Sequence, residues 1–540
     1  MISKNYYLIL ILFLQHRFDV QQIAKKRKTI FKIDLNRPQI NTNMLKKIII
    51  ILLIILYLTG FLLSFPYIFD NLFGAEKLDS IRNFFEYGTM FCSFLVFNAL
   101  LFKNKYTSVI AIILCLLLSL NFLISASCYL IYHSGFNVGM AISILESNPD
   151  EAMSMSYMFI LPGILFFIFL GMLLYSVNYL KKDVVKFDAK FIIIALLWLI
   201  LPFGYHLKHT YISNKGGGKM IKNVYYHLSD FNTALNIQRD INAIKKNIPV
   251  FNIKKIQPGI ENVILIIGES ERKQNMSLYG YNKRTTPYTD EQAGNMMIFD
   301  NAVSPAGITN LSVPLILSSI HPDEFRYHYE KLSYNIINLA NQSGYNSFWL
   351  STQASAKGIT AIASMSKNKK WINGFDEVIV PELKNVIQKK ENKFIVLHIM
   401  GSHPNPCNRI PPNWNSEGMD CYDSSIKYTD SVFKNIFSTL KNTNSVVIYA
   451  SDHGLKIQGD KLLHVDSKES TQVPFFVWYG DKVPANYRIT GRESKQTQTT
   501  YIYPLIMKYM GLEAPQHYKN EGNKYLNLEM KSMEYDKLPE

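Results

Sequence analysis

Charge is what the amino-terminal part of this sequence lacks. Ile48 to Phe69, Tyr106 to Tyr132, Ser156 to Leu180 and Phe191 to Leu207 hold no Asp, Glu, Lys or Arg, and Asn83 to Phe102 has only Arg82 and Glu86 near its start. A helix buried in a soluble core rarely avoids charge for so long. About 20 apolar residues are what a bilayer-spanning helix needs. The absence excludes a wholly soluble protein and predicts five spans. A cleaved signal peptide is missing too, so the first span is expected to act as the anchor. Cysteine is scarce, with five in 540 residues, which excludes a disulfide-dense scaffold. Cys92, Cys115 and Cys128 fall within spans, where a thiol is a small apolar group. Cys407 and Cys421 fall in a loop of the other half, and an oxidising exterior would join them.

The net charge is +15, with 13% aromatic and 18% charged residues. A basic chain can favour nucleic acid or an anionic membrane surface. The distribution of residues decides for the membrane and against nucleic acid. Lys25, Lys26, Arg27, Lys28, Lys32, Arg37, Lys46 and Lys47 precede the first span. Lys103 and Lys105 lie between spans two and three, and Lys181, Lys182, Lys186 and Lys190 between four and five. The remaining loops carry acids: Asp70, Glu76 and Asp79 in one, Glu146, Asp150 and Glu151 in the other. The positive-inside rule then puts the amino terminus in the cytoplasm and everything after about residue 207 outside. Residues 1–43 read as an extension whose apolar run is too short to span, and Met44 opens a conventional membrane-protein start, so translation is expected to begin there. The organisation expected is an extension to 43, a transmembrane domain at 44–207, a linker at 208–257 and an external domain at 258–540. The linker is polar and basic, broken by Gly216 to Gly218, and its 224–246 segment has helical spacing.

From Val263 onward short β-rich runs alternate with helix-compatible stretches: 263–268, 347–352, 394–400, 445–450 and 474–480. This alternation predicts an α/β sheet covered on both faces. Ligands of such sheets gather beyond the carboxyl ends of the strands. Chemistry-bearing residues stand at those ends. Glu269, Ser270 and Glu271 follow the first run, Gly401, Ser402 and His403 the third, and Asp452 and His453 the fourth, with His464 eleven residues on. Singly, each has a plainer reading as a cap, a turn or a solvated strand end. Together, carboxylate plus imidazole is a donor set that suits zinc. A nucleophile is expected in "SPAGITNLSVPLILSSI" (304–320), where Leu311 to Ile320 can be helical and Thr309 sits near the helix start. Unpaired N–H groups at a helix start attract phosphate, and a bound metal would lower the pKa of the Thr309 hydroxyl. Thr is also a favoured N-cap, and Ser304 or Asn310 could take either role.

The stretch "ENVILIIGESERKQNMSLYGYNKRTTP" (261–287) resembles the first signature of the membrane-bound phosphoethanolamine transferases, which include the lipid A enzymes behind polymyxin resistance. "GITNLSVP", "LHIMGSHPNPCNRIPP", "CYDSSIKYTD" and "SDHG" followed by "LH" come in that family's order and at similar spacing. The resemblance covers Met44 to nearly the end. It implies a five-helix membrane domain and an external α/β domain, periplasmic and similar to the alkaline phosphatases and sulfatases. It implies zinc, one ion or two, with Glu269, Thr309, Asp452 and His453 as ligands and Thr309 as the phosphoethanolamine acceptor. His403 and His464 would hold the substrate phosphate or a second zinc and assist proton transfer. Lys357 would contact the phosphate, and Ser147 and Glu151 the donor headgroup. The implied donor is phosphatidylethanolamine, and the implied acceptor is lipid A, lipooligosaccharide or another envelope molecule.

The departures are specific. Pro305 and Leu315 stand where many lipid A enzymes place a disulfide flanking the nucleophile, so only Cys407 and Cys421 remain to pair. Ser143 and Ala354 replace polar residues that several relatives use near the donor. They put lipid A itself in doubt as the acceptor and leave the catalytic centre intact. A glycerophosphate transferase or a sulfatase-like hydrolase would share the fold and the metal–nucleophile logic. Sulfatases need a Cys or Ser in a formylglycine motif, and "AGITN" has neither. A membrane-anchored binding protein would show a missing ligand, and none is missing.

Overall fold

A computed structural model describes residues 91–132, 135–146, 156–182, 222–244, 248–353, 361–459, 461–513 and 523–540, with scattered positions at 48–55, 152–153 and 190–197. The chain divides into two compact units, Met1–Ile54 and Ile55–Glu540. The described residues of the first are helical. In the second, helices α1 (Phe91–Leu101) and α2 (Lys105–Tyr132) are followed by the short α3 (Val138–Glu146) and by α4 (Ile160–Leu180). Two described helices are long and apolar enough to cross a membrane, Lys105–Ile131 and Ser156–Leu180. They coincide with the expected third and fourth spans. The first and fifth expected spans, and the start of the second, lie mostly outside the described residues. Phe122 stacks on Phe169 with ring centroids 4.5 Å apart, joining α2 to α4. Of the 224–246 segment, residues 224–243 belong to α5 (Lys222–Ala243), and its last two residues lie outside the described ones. Its Ala234 and Ile237 pack with Val138, Ala141 and Ile142 of α3.

The half of the chain after residue 257 is built on β1 (Asn262–Gly268), β2 (Met296–Phe299), β3 (Asn346–Ser351), β4 (Asn368–Trp371), β5 (Lys393–His398), β6 (Ser445–Ser451), β7 (Phe475–Tyr479) and β8 (Gly491–Glu493). They form one sheet in the order β8-β2-β7-β6-β1-β5-β3-β4. β1 runs parallel to both β5 and β6, and β7 is the reversed strand, antiparallel to β6 and β2. The sheet is therefore mixed. Every residue of β1 is buried, because a strand covered on both faces has no side free to be polar. Alternate residues feed two cores: Val263, Leu265 and Ile267 face one, Ile264 and Ile266 the other.

Helices fill both faces. α6 (Thr309–Leu317) and α9 (Ile502–Tyr509) pack on the first, α7 (Ile379–Ile387) and α8 (Cys421–Leu440) on the second. α8 starts where Asp420 accepts the N–H of Asp423 at 3.0 Å, and its Phe437 stacks on Trp478 at 4.7 Å. α6 begins two residues earlier and ends three earlier than the sequence pattern indicates. Ser318 is extended and bridges to Asn335, which stops the helix.

A disulfide joins Cys407 to Cys421, tying the loop after β5 to the first residue of α8 across a separation of 14 residues. Chain-entropy reasoning assigns a loop of that size about 3 kcal/mol. The double variant Cys407→Ser/Cys421→Ser should lose stability of that order. Urea titration of the full chain in detergent, read by fluorescence of the buried Trp349 and Trp478, measures it. An unchanged midpoint would contradict the entropic account.

Candidate active site

The site forms where β1 and β6 stop. β1 ends at Gly268, and Glu269 follows directly. A Cβ on Gly268 would lie 2.4 Å from the Tyr449 hydroxyl, so only glycine fits under that ring. Ser270 has φ 58°, a left-handed conformation that turns the chain back. Its hydroxyl donates to Glu269 Oε1 at 2.7 Å. β6 ends one residue before Asp452, whose N–H donates to the Gly268 carbonyl at 3.0 Å and prolongs the β1–β6 ladder. Asp452 Oδ1 accepts the N–H groups of Ser270 at 3.2 Å and His453 at 2.7 Å. Glu269, Asp452 and His453 are all fully buried.

Thr309 opens α6 and is half-buried. Its Oγ1 lies 3.0 Å from Glu269 Oε2 and 3.1 Å from His453 Nε2. His453 Nε2 is also 3.4 Å from Glu269 Oε1 and from Asp452 Oδ2. The other ring nitrogen, Nδ1, is 2.8 Å from the Gly454 carbonyl. A carbonyl only accepts, so the proton belongs on Nδ1 and Nε2 presents its lone pair to the site. His464 packs edge-on against His453 at 4.9 Å, and ligand atoms of Glu269, His453 and His464 all lie within 4.8 Å of one another.

The electrostatics of this cluster call for a cation. Burial works to raise Glu269, but the imidazoles of His453, His403 and His464, when protonated, and the Ser270 hydroxyl outweigh it and hold the carboxyl at about 2. Burial and the Glu269 charge push Asp452 up to about 7. Burial and the neighbouring His453 charge bring His464 down to about 3, so its ring is neutral. Two carboxylates in one dry site cannot both ionise cheaply without a positive partner. Asp452 Oδ2 is buried with no hydrogen-bond partner. Two carboxylates, neutral imidazole lone pairs and that orphaned oxygen fit a divalent metal such as zinc.

The alternative nucleophiles are placed elsewhere. The Ser304 hydroxyl lies between the carbonyls of Ala306 at 2.7 Å and Asp452 at 2.5 Å and shares its one proton with them, a brace for the turn. Asn310 lines a small apolar pocket with Ile142, Ala234 and Leu311. His403 lies on the loop after β5, with Nδ1 3.1 Å from Arg409 Nη2. Ser147, Glu151 and Lys357 lie outside the described residues.

Several contributors have no local sequence signal. Gln353 Nε2 donates to Glu269 Oε2 at 3.2 Å and to the Ile399 carbonyl at 2.8 Å, pinning the Glu269 carboxylate to the end of β5. Asp376 is buried and accepts the N–H groups of Met400 and Gly401, both at 2.8 Å, together with the Thr352 hydroxyl. Tyr449 donates to Glu271, which burial pushes up to about 8. These groups act through others, and only the assembled sheet brings them together.

Residues 261–512 match the family model described as Sulfatase, and residues 72–252 match the one described as the transferase YhbX N-terminal domain. YhbX of Escherichia coli (strain K12) is 33% identical over 430 residues, covering 72% of this chain and 78% of its own. The phosphoethanolamine transferase EptA of Helicobacter pylori is 28% identical over 290 residues, covering 47% of this chain and 54% of its own. The solved integral membrane protein lipooligosaccharide phosphoethanolamine transferase A (EptA) from Neisseria meningitidis shares the fold, with a TM-score of 0.60 over 90% of this chain and 99% of that one at 16% identity. The chain belongs to the sulfatase-domain family of YhbX and the phosphoethanolamine transferases.

Gly401 is a sensitive point of the scaffold. Its φ is +50°, and a Cβ there would lie 2.9 Å from the Glu269 carbonyl oxygen and 3.0 Å from its nitrogen. Gly401→Ala should cost about 1–3 kcal/mol of stability and displace Glu269. A lower urea midpoint together with weaker zinc retention in a chelator competition is the expected result. Wild-type values for both would show that the backbone contact has slack.

Proposed function

We propose that this chain transfers phosphoethanolamine from phosphatidylethanolamine to an envelope acceptor by way of a Thr309 phosphoenzyme. The observation that carries the reading is the Thr309 hydroxyl, held between Glu269 and His453 at the start of α6. Zinc held by Glu269, Thr309, Asp452 and His453 would supply Lewis-acid chemistry, lowering the pKa of the hydroxyl and offsetting negative charge at phosphorus.

In the first half-reaction Thr309 Oγ1 forms the bond to phosphorus and the bond to the diacylglycerol oxygen breaks. Diacylglycerol leaves after taking up a proton. The proton of Thr309 is directed toward Glu269 Oε2 or His453 Nε2, the two acceptors in reach. In the second half, a phosphate or hydroxyl oxygen of the acceptor attacks phosphorus and releases Thr309. His403 and His464 hold the phosphoryl oxygens in this scheme, with Lys357 as a further contact and Ser147 and Glu151 at the donor headgroup. Lipid A or another lipooligosaccharide is the acceptor class, and the catalytic half faces the periplasm from a multi-pass inner-membrane anchor. A lipid donor and a lipid-linked acceptor account for the membrane half, and two helices of spanning length support it.

Incubation with phosphatidylethanolamine should add one phosphoethanolamine to the intact enzyme, mapped to Thr309 by peptide mass. Thr309→Ala should lose the adduct and turnover together. Thr309→Ser should keep part of each, because the attacking oxygen survives. Ser304→Ala should still form the adduct. An adduct at another residue, or wild-type turnover by Thr309→Ala, would overturn the mechanism.

A further inference from the structure

Two imidazoles at this rim are wired in opposite senses. His453 points Nδ1 at a carbonyl, which leaves a lone pair on Nε2. His403 points Nδ1 at Arg409 Nη2, 3.1 Å away. A guanidinium has no lone pair to offer and donates only. The Pro404 carbonyl lies farther from the same Nδ1, at 3.4 Å, and also accepts from Arg409 Nη2 at 3.2 Å. One N–H of that nitrogen serves the carbonyl and the other serves the imidazole.

We infer that Arg409 holds His403 as the neutral tautomer with its proton on Nε2, so that His403 serves the site as a hydrogen-bond donor to a phosphoryl oxygen and not as a general base. Arg409 is then a positioning residue, since it acts through His403.

The local chain is built to fix this pair. The N–H of Ser402 donates to the Glu269 carbonyl at 3.0 Å, locking the His403 turn to the neighbouring ligand. Asn405, between Pro404 and Pro406, takes φ 63°, and its carbonyl accepts the N–H of Asn408 at 2.9 Å. That turn closes the short helix Pro406–Arg409, which delivers Arg409 back toward His403. The disulfide at Cys407 anchors the same helix to α8 two residues before Arg409. The donor role rests on the phosphoethanolamine-transfer reading, while the tautomer can be measured with no substrate present.

The test is a long-range proton–nitrogen spectrum of the full chain in detergent micelles with 15N-labelled histidine, His403 being assigned by its loss in His403→Gln. Protonated Nε2 with unprotonated Nδ1 at neutral pH is the expected pattern, opposite to that of His453. Arg409→Met should shift the Nδ1 resonance of His403 by removing its donor. A His403 protonated on Nδ1, or on both nitrogens, overturns the inference, as does an Nδ1 signal that Arg409→Met leaves unmoved. In turnover, His403→Gln keeps an N–H at similar reach and should exceed His403→Leu by about tenfold or more, in kcat and not KM. Equal turnover of the two variants would remove the donor role. Absence of any phosphoethanolamine adduct on Thr309 in the wild type would instead sink the functional reading and leave the spectrum to decide the tautomer.

Discussion

The contact on which the site depends is that of the Thr309 hydroxyl with Glu269 and His453, at 3.0 and 3.1 Å. Its three partners come from three places in the chain and meet only through the sheet. β1 delivers Glu269, β6 delivers Asp452 and His453, and α6 delivers Thr309. The two strands are parallel neighbours in register, with Gly268 opposite Ser451, so their carboxyl ends present carboxylate and imidazole side by side. Burying these groups without pairing would be costly. The cluster tolerates burial because each polar atom, apart from the Asp452 oxygen left for a cation, is turned toward a partner.

That arrangement uses backbone conformations that L-residues rarely adopt. Ser270 is left-handed without being glycine, Gly401 is left-handed against the Glu269 backbone, and Gly268 lies beneath the Tyr449 hydroxyl. Strain of this kind persists where surrounding structure over-determines it. Here the surroundings are Gln353, Asp376 and the fully buried strands. α6 is held from its other side as well. Ile308 and Leu311 pack with Ile142 of α3 and Ile237 of α5, in one apolar cluster that also takes in Leu528. The Gly139 N–H donates to the Leu528 carbonyl at 2.8 Å, so the segment after α2 is fastened to the sheet-bearing domain beside α6.

Much of this could be read from residues alone, and the reason is physical. Strands buried on both faces are continuous apolar runs, so β1, β3, β5, β6 and β7 stand out. Edge strands carry no such signal: β4 is "NKKW" and β8 is "GRE", and nothing local marks them as strands. β2, "MMIF", is too short to separate from its surroundings. Strand ends could be read as a rim because an acid or imidazole follows within three residues of the runs at 263–268, 394–400 and 445–450. Gln353, Asp376 and Arg409 could not, since their partners are set by loops that fold back from a neighbouring strand or turn. The end of α6 was obscured by apolar residues running on to Ile320 after Ser318 had already left the helix.

The central claim is that buried carboxylates and imidazoles from separate strands form one metal site around the Thr309 oxygen. Zinc-edge X-ray absorption on the full chain, purified in detergent without added metal and then loaded, tests it most directly. The account predicts tightly held zinc with only oxygen and nitrogen neighbours at about 2.0–2.2 Å, including imidazole, and altered coordination in Asp452→Asn. Zinc that dialyses away freely, a sulfur neighbour at about 2.3 Å, or a spectrum unchanged in Asp452→Asn would contradict it.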